Sequence, residues 1–272
     1  MRSSREPRGG LPRSSGMLTA LLLLGLRAFL RRLGFALLLT VMLAAAAVAV
    51  KAQVALPPDS FPAPARAISA IVAPRWIAED RRDAFGEADR VLGALRIRRG
   101  MTVADIGAGD GYYVAKLAAR LGAEGKVLAN DIEPRYLQLL RQRVSRARWT
   151  NVEVIEGLPH DPLLPAGSVD VAIMIHMYHE IENPFGMLYH LAFALKPTGL
   201  VGVVDVDGPT DRHGTPPSLL RCEFQALGYS YVRRDILADG AYLMTFRAPT
   251  ATARTASAPQ VRERVAKANC RA

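Results

Sequence analysis

Five short segments of this chain carry apolar cores, most of them rich in Val and Ile: Thr102–Ile106, Lys126–Asp131, Val152–Glu156, Val169–Ile175 and Leu200–Val206. They show little of the alternation that a strand with one wet face requires, so they are predicted strands covered on both faces. Between and after them lie Tyr112–Leu121, Pro134–Arg146, Pro184–Leu195 and Pro216–Leu227, each long enough for a crossover helix. Three of the four open at or beside a proline, which fits the first turn of a helix because the N–H it lacks has no partner there anyway. Two further strand candidates, Tyr229–Asp235 and Ala241–Arg247, have no helix between them. The last should therefore run antiparallel, entering by a hairpin around Ala238-Asp239-Gly240. This order predicts an α/β fold: a doubly wound, seven-stranded, mostly parallel sheet with its last strand antiparallel and helices on both faces.

Charge separates this core from its flanks. The 272 residues carry 35 Lys and Arg against 25 Asp and Glu, a formal +10. A balance this basic invites a polyanion as partner. Residues 1–52, however, hold eight of the basic residues and one acid, and residues 248–272 hold five and one. The central part sums to −1, so a nucleic-acid partner is not expected. Half of the residues are hydrophobic, which excludes disorder throughout. The two cysteines, Cys222 and Cys270, are too few for a disulfide scaffold or an all-thiolate zinc site.

Residues 33–50 are eighteen uncharged, mostly apolar residues directly after Arg31 and Arg32. They lead to small residues at Val50 and Ala52, the layout of a signal peptide cut before Gln53. The run is also long enough to span a hydrocarbon core of ~30 Å as an uncleaved anchor. Residues 1–52 are thus read as a signal peptide or membrane anchor. The protein is expected in the cell envelope, either periplasmic or held in the inner membrane by residues 33–50, with membrane contact through that segment if it is uncleaved. A start at Met17 would give the signal a more usual n-region, whereas a misassigned start codon would leave the protein cytoplasmic. Residues 53–74, with Pro57, Pro58, Pro62 and Pro64, read as a semi-extended linker, residues 75–247 as the folded domain, and residues 248–272 as a disordered tail.

Chemistry concentrates in Val103-Ala104-Asp105-Ile106-Gly107-Ala108-Gly109-Asp110-Gly111-Tyr112. A buried strand ends in a carboxylate, and glycines at alternate positions lead into a helix, letting the backbone turn sharply and approach a ligand. In open α/β sheets that place is the ligand crevice. A dinucleotide fingerprint would carry glycine where Tyr112 stands, and no Gly-Lys-Ser/Thr closes a P-loop. Asp131, at the tip of the second strand, is placed to accept hydrogen bonds from ribose hydroxyls.

These residues, with the blocks NVEVIEG, LPAGSVDVAIMIHMYHEIENP and LKPTGLVGVVDVD, resemble the class I S-adenosylmethionine-dependent methyltransferases from about Asp89 to Arg247. The resemblance implies S-adenosylmethionine as cofactor. Asp105, Gly107, Gly109 and Gly111 would contact its methionine part, Asp131 its ribose and Ile132 its adenine. Family members often carry an Asp directly after the glycine that follows the third strand. Here Leu158 follows Gly157, and Asp161, three residues on, is the candidate replacement. Methyl transfer from a sulfonium needs alignment and exclusion of water first, and a base only for a protonated acceptor. The base candidates follow the fourth strand: His176, Tyr178, His179 and Glu180, with His179 placed first. No metal is expected. The partner is a small-molecule acceptor, and the alternative is a non-catalytic envelope binding protein on the same fold.

Overall fold

The computed structural model describes residues 56–71, 79–237 and 240–271. The apolar segment 33–50 and the hairpin residues Ala238 and Asp239 lie outside them. Seven strands form one sheet: β1 (Thr102–Ile106), β2 (Lys126–Asp131), β3 (Val152–Glu156), β4 (Val169–Ile175), β5 (Leu195–Val206), β6 (Ser230–Ile236) and β7 (Ala241–Arg247). Their order is β3-β2-β1-β4-β5-β7-β6. The first five run parallel, and β7 enters antiparallel between β5 and β6. The strand order reverses between β1 and β4, and a doubly wound sheet opens its ligand crevice at that reversal.

The helices are α1 (Glu79–Phe85), α2 (Glu87–Ala94), α3 (Tyr112–Leu121), α4 (Pro134–Ala147), α5 (Pro184–Ala194), α6 (Pro217–Ala226), α7 (Ala251–Arg254) and α8 (Ala258–Ala268). Consecutive residues of the central strands feed opposite cores. Ala104, Leu128 and Ala172 pack with residues of α5, α6 and α8, and Val103, Val127 and Val171 with residues of α2, α3 and α4. Both faces are thus dry, the physical reason these strands carry apolar side chains without alternation. The antiparallel edge strand β6, by contrast, alternates exposed and half-buried positions along its whole length.

β5 starts five residues earlier than the Val-rich run does. Leu195 pairs with Val169 before a register irregularity, and regular pairing resumes at Leu200 opposite Val171. Pro197 and Gly199 inside this stretch give it the look of a loop in the sequence.

The C-terminal tail, expected to be disordered, is folded. Thr250 caps α7 by accepting a hydrogen bond from the Ala253 amide, and Ser257 with Gln260 forms a capping box on α8. Val261 and Val265, one turn apart, enter the core beside α6. A disulfide joins Cys222 on α6 to Cys270. The segment 56–71, read as a linker, is extended but packed: Ser60, Phe61, Arg66 and Ser69 are buried.

Candidate functional site

A cavity opens at the carboxyl ends of β1, β2 and β4. Asp105, Gly107, Gly109, Asp131, Ile132 and His176 all line it, together with Asn130, Tyr136, Met177 and Glu180. The glycine loop takes the shape the sequence anticipates. Gly107 and Gly109 adopt φ of 70° and 57°, and a Cβ on Gly109 would extend into open space. Asp131 fastens the loop: one carboxylate oxygen accepts from the Gly109 amide at 2.8 Å, the other from the Ile132 and Glu133 amides. A carboxylate has about four acceptor positions, so three amides leave room for a ligand hydroxyl.

Asp105 is 2 % exposed, and its Oδ2 has no hydrogen-bond partner among the described residues. Burial, reinforced by the Asp131 charge, pushes its pKa up to about 8. A buried acceptor left unsatisfied costs free energy in the absence of a donor. Here the orphan oxygen belongs to a residue of a cavity wall, where an incoming cation or N–H would repay that cost.

Gly111 does not reach the cavity. It caps the amino end of α3 with φ 92°, and a Cβ there would lie 2.7 Å from Leu140 Cδ1. Its role is close packing of the loop against α4. Asp161 is also off the cavity wall: its Oδ1 accepts from the Leu163 amide and its Oδ2 lies 3.3 Å from His190 Nδ1. It closes a turn and faces a buried histidine, leaving the expected adenine contact without support.

The base candidates divide. His176 directly follows β4 in the left-handed region (φ 53°) and lines the cavity. Its Nε2 lies 2.9 Å from Glu87 Oε2 on α2. Burial works to raise the Glu87 pKa, but the His176 contact, the Tyr113 hydroxyl and Arg82 outweigh it and hold the pKa below the usual value. His179 and Tyr178, in contrast, turn away from the cavity. The Tyr178 hydroxyl donates to Glu223 at 2.7 Å, and burial beside that carboxyl raises its pKa well above the usual tyrosine value, so it is no proton acceptor for the cavity. Glu223 also meets Arg66, whose guanidinium donates to the carbonyls of Tyr178, His179 and Ile181. This buried network sets the backbone of the 178–181 turn. His179 Nδ1 lies 3.0 Å from Asp205 Oδ2.

Sequence reasoning missed Glu87, Arg82 and Asn130. Arg82 stacks over Tyr112 at 3.9 Å, and Asn130 donates to the carbonyls of Ile155 and Pro162. Glu87 lies 89 residues before His176 in a charged helix without a motif, so nothing local could have signalled the pair. Asn130 could have been found, because it directly precedes the strand-end aspartate.

Residues 103–199 match the family model described as a methyltransferase domain. The resemblance read from the sequence is borne out over that stretch. Among curated proteins, the demethylmenaquinone methyltransferase of Listeria monocytogenes is 26% identical over 115 residues, 42% of this chain and 48% of that protein. The protein-L-isoaspartate O-methyltransferase of Methanococcoides burtonii is 39% identical over 74 residues, 25% of this chain and 36% of its own. The chain thus spans about half the length, or less, of the curated relatives it matches. Of solved structures, a SAM-dependent methyltransferase from Aquifex aeolicus superposes with a TM-score of 0.57 at 21% identity, covering 64% of this chain and all of that one. The SpnF cyclase superposes with 0.56 at 14% identity, over 71% of this chain and 90% of its own. At such identities these structures speak to the fold: a Rossmann-like sheet with strand order 3-2-1-4-5-7-6.

Proposed function

On the premise that its core is a class I S-adenosylmethionine-dependent methyltransferase domain, we propose that this chain transfers a methyl group to a small, largely apolar acceptor. The observation that carries the proposal is Asp105, a buried carboxylate with an unsatisfied oxygen at the foot of a glycine-lined cavity. The residues fit the cofactor. Asp105 offers a buried carboxyl that a cationic group would ionise, Gly107 and Gly109 bring backbone close, Asp131 keeps acceptor positions for ribose hydroxyls, and Ile132 supplies an apolar face for a base. When bound, S-adenosylmethionine supplies an electrophilic methyl group on a sulfonium whose departure leaves a neutral thioether.

The chain's own work is alignment and dryness. Ile71, Met177, Ile181 and Met187 contribute apolar side chains to the cavity, which favours an acceptor with an apolar body. His176 is the histidine of this wall, its ring oriented by the Nε2–Glu87 contact. It takes the role first given to His179: positioning the acceptor and holding its proton. Calorimetry of the purified full-length chain with S-adenosylmethionine tests the reading. The parent should bind and Asp105→Asn should bind at least tenfold more weakly. Absence of binding by the parent would overturn the assignment.

The same proposal places the domain outside the cytoplasm, exported or anchored by residues 33–50. The Cys222–Cys270 disulfide supports this, since such bonds persist in oxidising compartments. Fractionation with thiol labelling checks it: recovery of an unprocessed chain in the cytosol with two free thiols would exclude export.

A further inference from the structure

Two turns far apart in the sequence, 178–180 and 210–213, meet beside the cavity. Ser69, buried like Arg66 in the otherwise exposed segment 66–69, stitches them together. The Ser69 amide donates to the His179 carbonyl at 3.1 Å, the Ser69 hydroxyl donates to the Thr210 carbonyl at 2.6 Å, and the His213 amide donates to the Ser69 hydroxyl oxygen at 3.2 Å. This brings one potential ligand atom each from His179, Glu180 and His213 within 4.8 Å of one another. The two imidazole rings lie edge to face, with centroids 5.3 Å apart. Glu180 Oε1 is 4.0 Å from His179 Nε2, and Glu180 also lines the cavity.

We propose that His179, Glu180 and His213 form a binding site for a divalent transition cation of the zinc type. Two nitrogens and one carboxylate oxygen are the donors such a cation prefers, whereas magnesium and calcium favour all-oxygen sets. His179 is prepared for ligation from behind. Its Nδ1 faces the fully buried Asp205 carboxylate at 3.0 Å. The imidazole tautomer with hydrogen on Nδ1 donates there and directs the Nε2 lone pair toward Glu180 and His213. Asp205 is itself held, accepting from the Thr215 hydroxyl at 2.6 Å and from the Val206 amide at 2.8 Å. A carboxylate behind a histidine ligand is a recurrent support of metal sites, because it fixes the ring and raises its basicity. Tetrahedral ligands around zinc stand about 3.4 Å apart, given bonds of about 2.1 Å. The cluster therefore closes by roughly an ångström on binding. Three protein ligands leave a fourth position for water. The site does not depend on methyl transfer.

The test is metal binding by the tag-free, purified full-length chain after chelator treatment, with zinc by calorimetry and cobalt by visible absorbance. The parent should take up one zinc per chain and give a cobalt spectrum of low coordination number. Asp205→Asn should weaken zinc binding 10–100-fold, and His213→Ala by more, with far-UV circular dichroism showing both variants folded. His160→Ala, outside the cluster, should bind as the parent does. If the parent takes up no zinc, or His213→Ala binds it as tightly as the parent, the site is refuted. Because neither readout uses S-adenosylmethionine, failure here and failure of the methyltransferase reading remain separable.

Discussion

Two aspartates lie equally deep in this domain and meet opposite fates. Asp105, next to last in β1, is 2 % exposed, and one of its oxygens has no partner among the described residues. Asp205, near the end of β5, is 0 % exposed and accepts from a histidine ring, a hydroxyl and an amide. Burial alone therefore does not distinguish a ligand site from a structural carboxylate. The completeness of the partner set does. A satisfied buried acid holds its surroundings in place, and an unsatisfied one in a cavity wall can take a ligand group as its partner.

The sharpest way to break this contrast is to remove each carboxylate. Asp205→Ala strips partners from His179, Thr215 and Val206 at complete burial and should cost about 3–5 kcal/mol in urea unfolding. A loss below about 1 kcal/mol would show that the network carries little. Asp105→Asn should move stability the other way. The raised pKa means that the folded state resists ionisation of Asp105. Its favourable contribution is complete below the unfolded value near 4 and is lost as pH rises through about 8. The neutral variant escapes that loss, so at pH 7 it should unfold several degrees higher than the parent while binding the cofactor more weakly.

A smaller effect separates two glycines. Gly111→Ala places a methyl group 2.7 Å from Leu140 with φ at 92°, and should cost about 1–3 kcal/mol in thermal unfolding. Gly109→Ala has open space around its new methyl group. It should cost only the left-handed backbone term of about 1–2 kcal/mol, with the larger defect appearing in cofactor binding. Smallest is a proton. If cofactor binding ionises Asp105, calorimetry at pH 7 in buffers of different ionisation heat should show release of up to one proton per site, abolished in Asp105→Asn.

The cofactor side of the site was legible because its requirements are local. A sharp strand-to-helix loop needs glycine, and a ligand at strand tips needs side chains at the ends of predictable strands, so Asp105, Gly107, Gly109, Asp131 and Ile132 could be read in place. The other wall was not legible. His176, His179 and Tyr178 are neighbours in sequence, yet the turn after His176 sends the next residues toward Asp205 and Glu223. Which histidine faces the cavity is decided by Arg66 and Glu87, whose positions only the tertiary fold determines. The strands β1, β2 and β4 fell where the apolar runs predict, since burial on both faces leaves a strong mark. β3 also fell in place but, as an edge strand with no fully buried residue, is not covered on both faces as expected. The tail misled for the opposite reason. Val261 and Val265 present too narrow an apolar stripe to announce a helix amid Ala, Thr and Arg, and the Cys222–Cys270 bond that fastens it is a tertiary event.

Arg262 on α8 donates to the carbonyl of Ser60 at 3.2 Å, and α8 packs against the 58–60 turn. The first segment of the folded unit thus waits for nearly the last. During synthesis, which proceeds at about 5–20 residues per second, residues 56–61 cannot complete their contacts until α8 has been made. The Arg66 and Ser69 anchors on the 178–181 and 210–213 turns are delayed in the same way, until those turns exist. The domain's early residues thus complete their anchoring contacts only late in translation.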